Sequence, residues 1–434
     1  TVTITAAGLQ GLTEGSVTMT ADVSDAAGNA AAQVTSSAFT YDKTAPTISQ
    51  VTSTTNDGSY NVPDEINITV GFSEAVTLSG GNLVVTLDTG GTATISSITA
   101  ASTASATYTV GSGETSADLS ATGIALSAGT LTDAAGNAMS VFGGYTDLAD
   151  SSALVVDTTV PTISAIGTGA LSWGAVLNAT EDNSNGTVSV TTSGAEDGQT
   201  VTITLNGATY TNTVSSDATT VTITAAALQA LTDGQSYTLT ADVSDAAGNA
   251  AAQVTSSSFA VDTTIPVVTS VTSSTSDGSY KADDVISLVV FFSEDVSVDT
   301  TAGTPTLTLN TGGGGASVNY SSGSGTSALM FTYTVSAGQN SSDLDYSASN
   351  SLALNSATIK DSAGNDATLT LSSPSEAASL SFNKDIVIDT TSPTMTITSS
   401  TSGVSDGSTT KDATISLTFT SSEATTNFTD ADIT

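Results

Sequence analysis

Acidic side chains recur in this sequence in three fixed settings. The first is an Asp-x-Ala-Gly-Asn box, at Asp25–Asn29, Asp133–Asn137, Asp245–Asn249 and Asp361–Asn365. The second is an Asp followed by a short polar link and a proline, beginning at Asp42, Asp157, Asp262 and Asp389. The third is Phe-Ser-Glu, ending at Glu74 and Glu294, with a related Ser-Ser-Glu at Glu423. The chain has 42 Asp and Glu against 5 Lys and Arg, with no His and no Cys, for a net charge of −37. Thiol catalysis, disulfides and Cys-based zinc sites are therefore excluded. So are the commonest general base and the commonest transition-metal ligand. A hydrolase would need a Ser–Lys pair or paired carboxylates, yet no basic residue recurs from one repeat to the next, so the chain reads as no enzyme. What remains is oxygen chemistry, which suits hard cations such as calcium. Such a field repels nucleic acid and anionic lipid and draws cations.

The elements that must hold these acids are strands. Thr200–Leu205 (TVTITL), Glu65–Val70 (EINITV) and Thr414–Phe419 (TISLTF) alternate apolar residues with polar ones. Threonine and valine dominate, and β-branched residues suit a pleated strand. Turn clusters rich in Gly, Asp, Asn and Ser separate the runs. Helical periodicity is lacking except for one possible turn at Ala225–Leu231. The pattern predicts an all-β chain of sandwiches. No stretch is long and apolar enough to span a membrane.

Repeats set the organisation. Thr20–Ser37 is identical to Thr240–Ser257. A second repeat type opens with Asp-Gly-Ser-Tyr at Asp57 and Asp277 and runs on to the boxes at Asp133 and Asp361. With the Asp-to-proline links as boundaries, the expected domains are 1–42 (the C-terminal part of one domain), 43–157, 158–262, 263–389 and 390–434 (the N-terminal part of another). Both ends are thus expected to lie within a domain, as pieces of a longer protein.

Together, the boxes, the Asp-Thr-Thr-x-Pro links and the Phe-Ser-Glu segments resemble bacterial immunoglobulin-like repeats of giant surface adhesins. The second repeat type is also similar to repeats of surface proteins linked to cyanobacterial swimming. The resemblance implies tandem immunoglobulin-like β-sandwiches forming an extended rod, often stiffened by calcium at domain junctions, and no catalysis. In that topology the box, the linker aspartate of the preceding domain and the loop after the second strand meet at one pole. The first junction would collect Asp42, Glu74, Asp133 and Asn137. The second would collect Asp157, Glu196, Asp245 and Asn249, where Glu196 belongs to a Gly-Ala-Glu-Asp-Gly loop. The third would collect Asp262, Glu294, Asp361 and Asn365, and a fourth Asp389 and Glu423. Three carboxylates so placed repel one another unless neutralised, and calcium takes six to eight oxygens from flexible loops. The plainer alternative is that the box is only a hairpin turn, because Asp and Asn bond neighbouring backbone and Gly accepts positive φ.

The expected role is a calcium-stiffened stalk of an adhesin on the surface of a bacterium. Its partners would be calcium ions and neighbouring domains, with other copies of itself or cell-surface glycans and proteins beyond these. Two further readings are a subunit of a self-assembling filament or surface layer, and an accessory carbohydrate-binding region of a secreted enzyme. The scarcity of aromatics counts against the last. Trp173 reads as a packing residue, and Gly312–Gly315 as a hairpin turn with no following lysine or helix to make a phosphate loop.

Overall fold

Alternation translates directly into buried and exposed faces. In Glu65–Ser79, Ile66, Ile68 and Val70 point to one side and are fully buried, while the polar residues between them face outward. This 15-residue strand pairs antiparallel with Ala101–Thr109 and with Ile48–Thr52. Register shifts interrupt both ladders near Gly71. Past the irregularity, Thr77–Ser79 pairs with a different strand, Thr130–Thr132. A bulge of this kind bends the strand and re-aims the side chains beside it. A second sheet of Leu83–Leu87, Thr92–Ile95 and Ala121–Leu126 supplies Leu83, Val85, Leu87, Ala93, Ile95 and Ile124 to the same core. The result is a sandwich, closed by a parallel pair of Leu154–Val156 on Gly58–Tyr60.

The computed structural model describes residues 1–433, which divide into two compact units. The first comprises Thr1–Gly174, Gly186–Ile223 and Tyr237–Ser258. Besides the sandwich above, it holds a sheet of Thr162–Ile163, Gly186–Ser193 and Ala218–Ile223. It also holds one of Ala208–Thr213, Thr200–Leu205, Leu239–Asp242 and Val254–Thr255. At its start, residues 1–41 form one short helix, Ala6–Gln10, and short strands, and leave Val2, Ile4, Met19, Val23 and Val34 exposed.

The second unit comprises Ala175–Asn185, Thr224–Ser236 and the chain from Phe259 onward. It repeats the same plan. Val285–Asp299, again 15 residues, pairs with Val268–Ser273 and Thr326–Thr334, shifts register between Phe291 and Val296, and ends against Thr358–Lys360. Val176–Asn178 pairs in parallel with Phe259–Asp262, and Gly278–Tyr280 with Ile386–Ile388. The expected helical turn is Ala225–Gln229, capped by the Thr224 side chain, which accepts from the Ala227 amide. Trp173, in the first unit, is buried at 4 % exposure, as its packing role required. Among the described residues no helix is long and apolar enough to cross a membrane.

One local expectation is corrected. Phe-Ser-Glu is not a loop after the second strand. Glu74 and Glu294 lie inside the two long strands, where each passes from one partner to another. The ladder is broken there, so the glutamate occupies a kink rather than a turn.

Candidate metal centre

The box builds itself from local bonds. In each copy the aspartate Oδ1 accepts the backbone N–H of the asparagine four residues on, at 2.8–2.9 Å. Oδ2 accepts the same asparagine's side-chain Nδ2 at 2.7–2.9 Å. The glycine between them takes φ of +92° at Gly28, +94° at Gly136, +91° at Gly248 and +94° at Gly364, a region that glycine enters without strain. The turn reading of the box is therefore part of the answer.

Box asparagines also reach across the chain. Nδ2 donates to the carbonyl of Asp42 from Asn137 (3.3 Å), of Asp157 from Asn249 (2.9 Å) and of Asp262 from Asn365 (2.9 Å). Asn365 Oδ1 accepts the Ala179 amide at 2.7 Å. Asn137, Asn249 and Asn365 thus act through N–H donation as straps between box and linker. An amide nitrogen engaged in that way offers nothing to a cation.

Two of the four acidic sets converge. Asp133 and Asp361 directly follow Thr130–Thr132 and Thr358–Lys360, the strands paired with the tails of the two kinked strands. That places each box aspartate beside the glutamate in the kink. Carboxylate oxygens of Asp42, Glu74 and Asp133 all lie within 4.8 Å of one another, and so do those of Asp262, Glu294 and Asp361. Asp133 and Asp361 are buried, at 5 % and 6 % exposure. Glu294 Oε1 is buried without a hydrogen-bond partner.

The electrostatics follow the crowding. Burial, then the charges of Asp133 and Asp42, pushes the Glu74 carboxyl above its ordinary pKa. Burial, then Asp361, Asp262 and Asp233, does the same to Glu294. Asp262 is also raised, by burial and then by Asp361. Burial pushes Asp133 upward too, but hydrogen bonds led by the Asn137 side chain and amide outweigh it, so this carboxyl lies below its ordinary value. An oxygen-only donor set holding a buried, unpartnered carboxylate oxygen fits a hard divalent cation.

The remaining sets do not converge in this way. Among the described residues, Asp157, Glu196 and Asp245 are not gathered as the other two triads are. Glu196 comes from a loop rather than a strand kink, and its Oε2 accepts the Ala246 amide inside the box turn at 2.8 Å. Asp157 Oδ1 caps its own linker by accepting from Thr159 N at 2.8 Å. Asp389 and Glu423 line one pocket with Asn340, Ser341 and Ile388, and Glu423 Oε1 is again buried and unpartnered. No third carboxylate joins them among the described residues.

Two acids beside the convergent sets went unnoticed in the sequence. Glu14 and Asp233 sit in matching Leu-Thr-Glu-Gly and Leu-Thr-Asp-Gly turns and bond the linkers after Asp42 and Asp262. Their recurrence at one repeat position was the available signal.

Fold and site define a class, an all-β protein of tandem immunoglobulin-like sandwiches with acidic clusters where linker, strand kink and box meet. Over residues 122–261 the chain matches the model of the bacterial Ig-like domain (group 3). No curated protein matches the chain. Solved structures that resemble it include a Ca2+-stabilised adhesin with which an Antarctic bacterium reaches out and binds ice. That likeness is at 24 % identity over 81 % of this chain and 79 % of the other, with a TM-score of 0.39. Another is a 1.5-MDa bacterial ice-binding adhesin, at 20 % identity over 74 % and 93 %, TM-score 0.41. A third is a bacterial immunoglobulin-like domain of the M. primoryensis ice-binding adhesin. Its identity is 34 % over 24 % of this chain and 95 % of that domain, with a TM-score of 0.18.

Proposed function

We propose that this chain is a non-catalytic spacer of a bacterial surface adhesin, displayed outside the cell, in which calcium stiffens joints between sandwich domains. The domains are those bounded by the linker aspartates, 43–157, 158–262 and 263–389, flanked by segments 1–42 and 390–434. The observation that carries the reading is the repeated triad. Asp42, Glu74 and Asp133, and again Asp262, Glu294 and Asp361, come from three separated stretches of sequence and crowd their carboxylates within 4.8 Å. Three such charges are stable together only when neutralised.

In each triad the first ligand belongs to a linker, and the other two to the sandwich that follows it. A cation held by all three ties linker to domain, and binding free energy becomes joint order. Calcium suits the set better than magnesium, because its coordination is larger and more tolerant of irregular geometry. Extracellular calcium modules bind with dissociation constants of about 10⁻⁴–10⁻³ M. The absence of His and Cys and the scarcity of Lys support a role without catalysis.

Small-angle scattering of the full chain tests this. Chelation of calcium is expected to shorten the maximum dimension or broaden the distance distribution, and calcium to reverse the change. An identical profile in both conditions sinks the reading. Ordered filaments in electron micrographs of the calcium-loaded chain would favour a self-assembling subunit instead.

A further inference from the structure

The triads leave one feature unexplained. Asp233 Oδ1 accepts the Thr263 amide at 2.6 Å and Thr263 Oγ1 at 3.2 Å, and its Oδ2 accepts Thr264 Oγ1 at 2.6 Å. These are the two residues that follow the linker aspartate Asp262. In the other copy of the repeat, Glu14 Oε1 accepts the Lys43 amide at 2.9 Å. Its two oxygens also accept Thr44 Oγ1 at 3.0 and 2.8 Å. These are the two residues that follow Asp42. Side chains of different length thus grip the same two linker positions.

Behind the other two linker aspartates the grip is neutral. Thr158 Oγ1 donates to the Glu114 carbonyl at 3.1 Å and accepts the Gly113 amide at 3.2 Å. Thr390 Oγ1 donates to the Gln339 carbonyl at 3.1 Å and accepts the Gly338 amide at 2.9 Å. Asn340 Oδ1 also accepts the Thr390 amide at 2.8 Å, so neutral groups suffice to hold a linker. Among the described residues a carboxylate grips the linker only beside the two convergent triads, where an added negative charge is unfavourable unless a cation is present.

We infer that Asp233 and Glu14 are positioning residues of the proposed calcium sites. Each fixes the two residues after the linker aspartate, so that Asp262 or Asp42 is held toward its partner carboxylates, and each adds negative charge behind the bound ion. This role rests on the calcium reading above.

The test uses the full chain carrying Asp133→Asn, which disables the site at Asp42 and leaves the one at Asp262. Calcium is titrated against a chelating indicator dye at fixed ionic strength. Asp233→Ala is expected to weaken binding about tenfold, as loss of an outer-shell partner does. Asp233→Glu, the side chain used in the other copy, is expected to restore most of the loss. Asp233→Asn, which keeps an acceptor but no charge, should fall between. A merely structural grip would lower the melting temperature in chelator and leave calcium affinity unmoved, and that result overturns the proposal. So does an Asp233→Glu chain as weak as Asp233→Ala. Adding Asp361→Asn separates the two levels of the argument. If the unsubstituted chain binds no calcium, or if Asp361→Asn leaves the remaining site intact, the calcium reading itself fails and the positioning role falls with it.

Discussion

Replacing Glu294 by glutamine should move stability in opposite directions with and without calcium. In the metal-free chain the three carboxylate oxygens of Asp262, Glu294 and Asp361 lie within 4.8 Å of one another. At an effective dielectric constant of about 20, each pair at that distance repels by roughly 3–4 kcal/mol. The full sum cannot be realised, because the site takes up a proton first. Protonating an ordinary glutamate near pH 7.5 costs about 4 kcal/mol, which caps the penalty. Glu294→Gln removes two of the three repulsions and gives the buried Oε1 position an amide that can donate to a neighbouring carboxylate. In chelator it should therefore stabilise the surrounding domain by about 1–4 kcal/mol. That raises its melting temperature by at least about 4 °C. With calcium at about 100 times its dissociation constant, the unsubstituted chain gains about 2.7 kcal/mol from the ion. The glutamine chain, short of one anionic ligand, should lose most of that gain. Differential scanning calorimetry of the full chain in chelator and in calcium reads both numbers, with the transition altered by the substitution marking the domain. A lower melting temperature for Glu294→Gln in chelator refutes the repulsion argument. An undiminished calcium increment refutes ligation by Glu294.

Further outcomes follow from the same geometry. In chelator, Glu74, Glu294 and Asp262 have folded-state pKa values above their ordinary ones. The folded state therefore holds more protons than the unfolded one, and these groups add stability as pH falls through the raised values and lose it as pH rises toward neutrality. Asp133 and Asp233 are lowered and act oppositely, so the contribution of Glu294 is read from melting temperature against pH as the difference between the unsubstituted and Glu294→Gln chains. Calcium should reverse the trend, because protons compete with the ion for the same oxygens. Asn365→Ala removes the strap to the Asp262 carbonyl, the bond to Asp361 Oδ2 and the acceptor for Ala179 N. It is expected to cost about 2–4 kcal/mol in a denaturant titration, and a loss too small to measure would deny the strap. Gly136→Ala places a side chain at φ +94° with open space around the new methyl. Strain alone should cost about 1–3 kcal/mol, and an unchanged melting temperature would contradict that backbone conformation.

Strand identity was legible in the sequence because it is a local property. Glu65–Val70 alternates residue by residue, and so do its buried and exposed faces. The box was legible as a turn for the same reason, since Asp133 and Asn137 complete each other within five residues. An immunoglobulin-like topology also predicts the box beside the preceding linker aspartate, but not the bond that ties the two. Nothing local says that the Asn365 amide would bond the carbonyl of Asp262, more than one hundred residues away. An immunoglobulin-like topology places Phe-Ser-Glu in the loop after the second strand. The strands instead continue through a register shift to new partners.

By itself the sequence determined an all-β chain of repeated units, poor in the side chains that catalysis uses and rich in recurring carboxylates. Tertiary structure decided which of the four expected sets of carboxylates meet. Glu74 and Glu294 converge with linker and box because each sits where a long strand changes partners, beside the strand that leads into the box. Glu196, equally acidic and placed by sequence at a matching junction, comes from a loop, and its carboxylate accepts the Ala246 amide instead. Composition and spacing specify the residues available at a pole, whereas the bend of a strand specifies where their oxygens point.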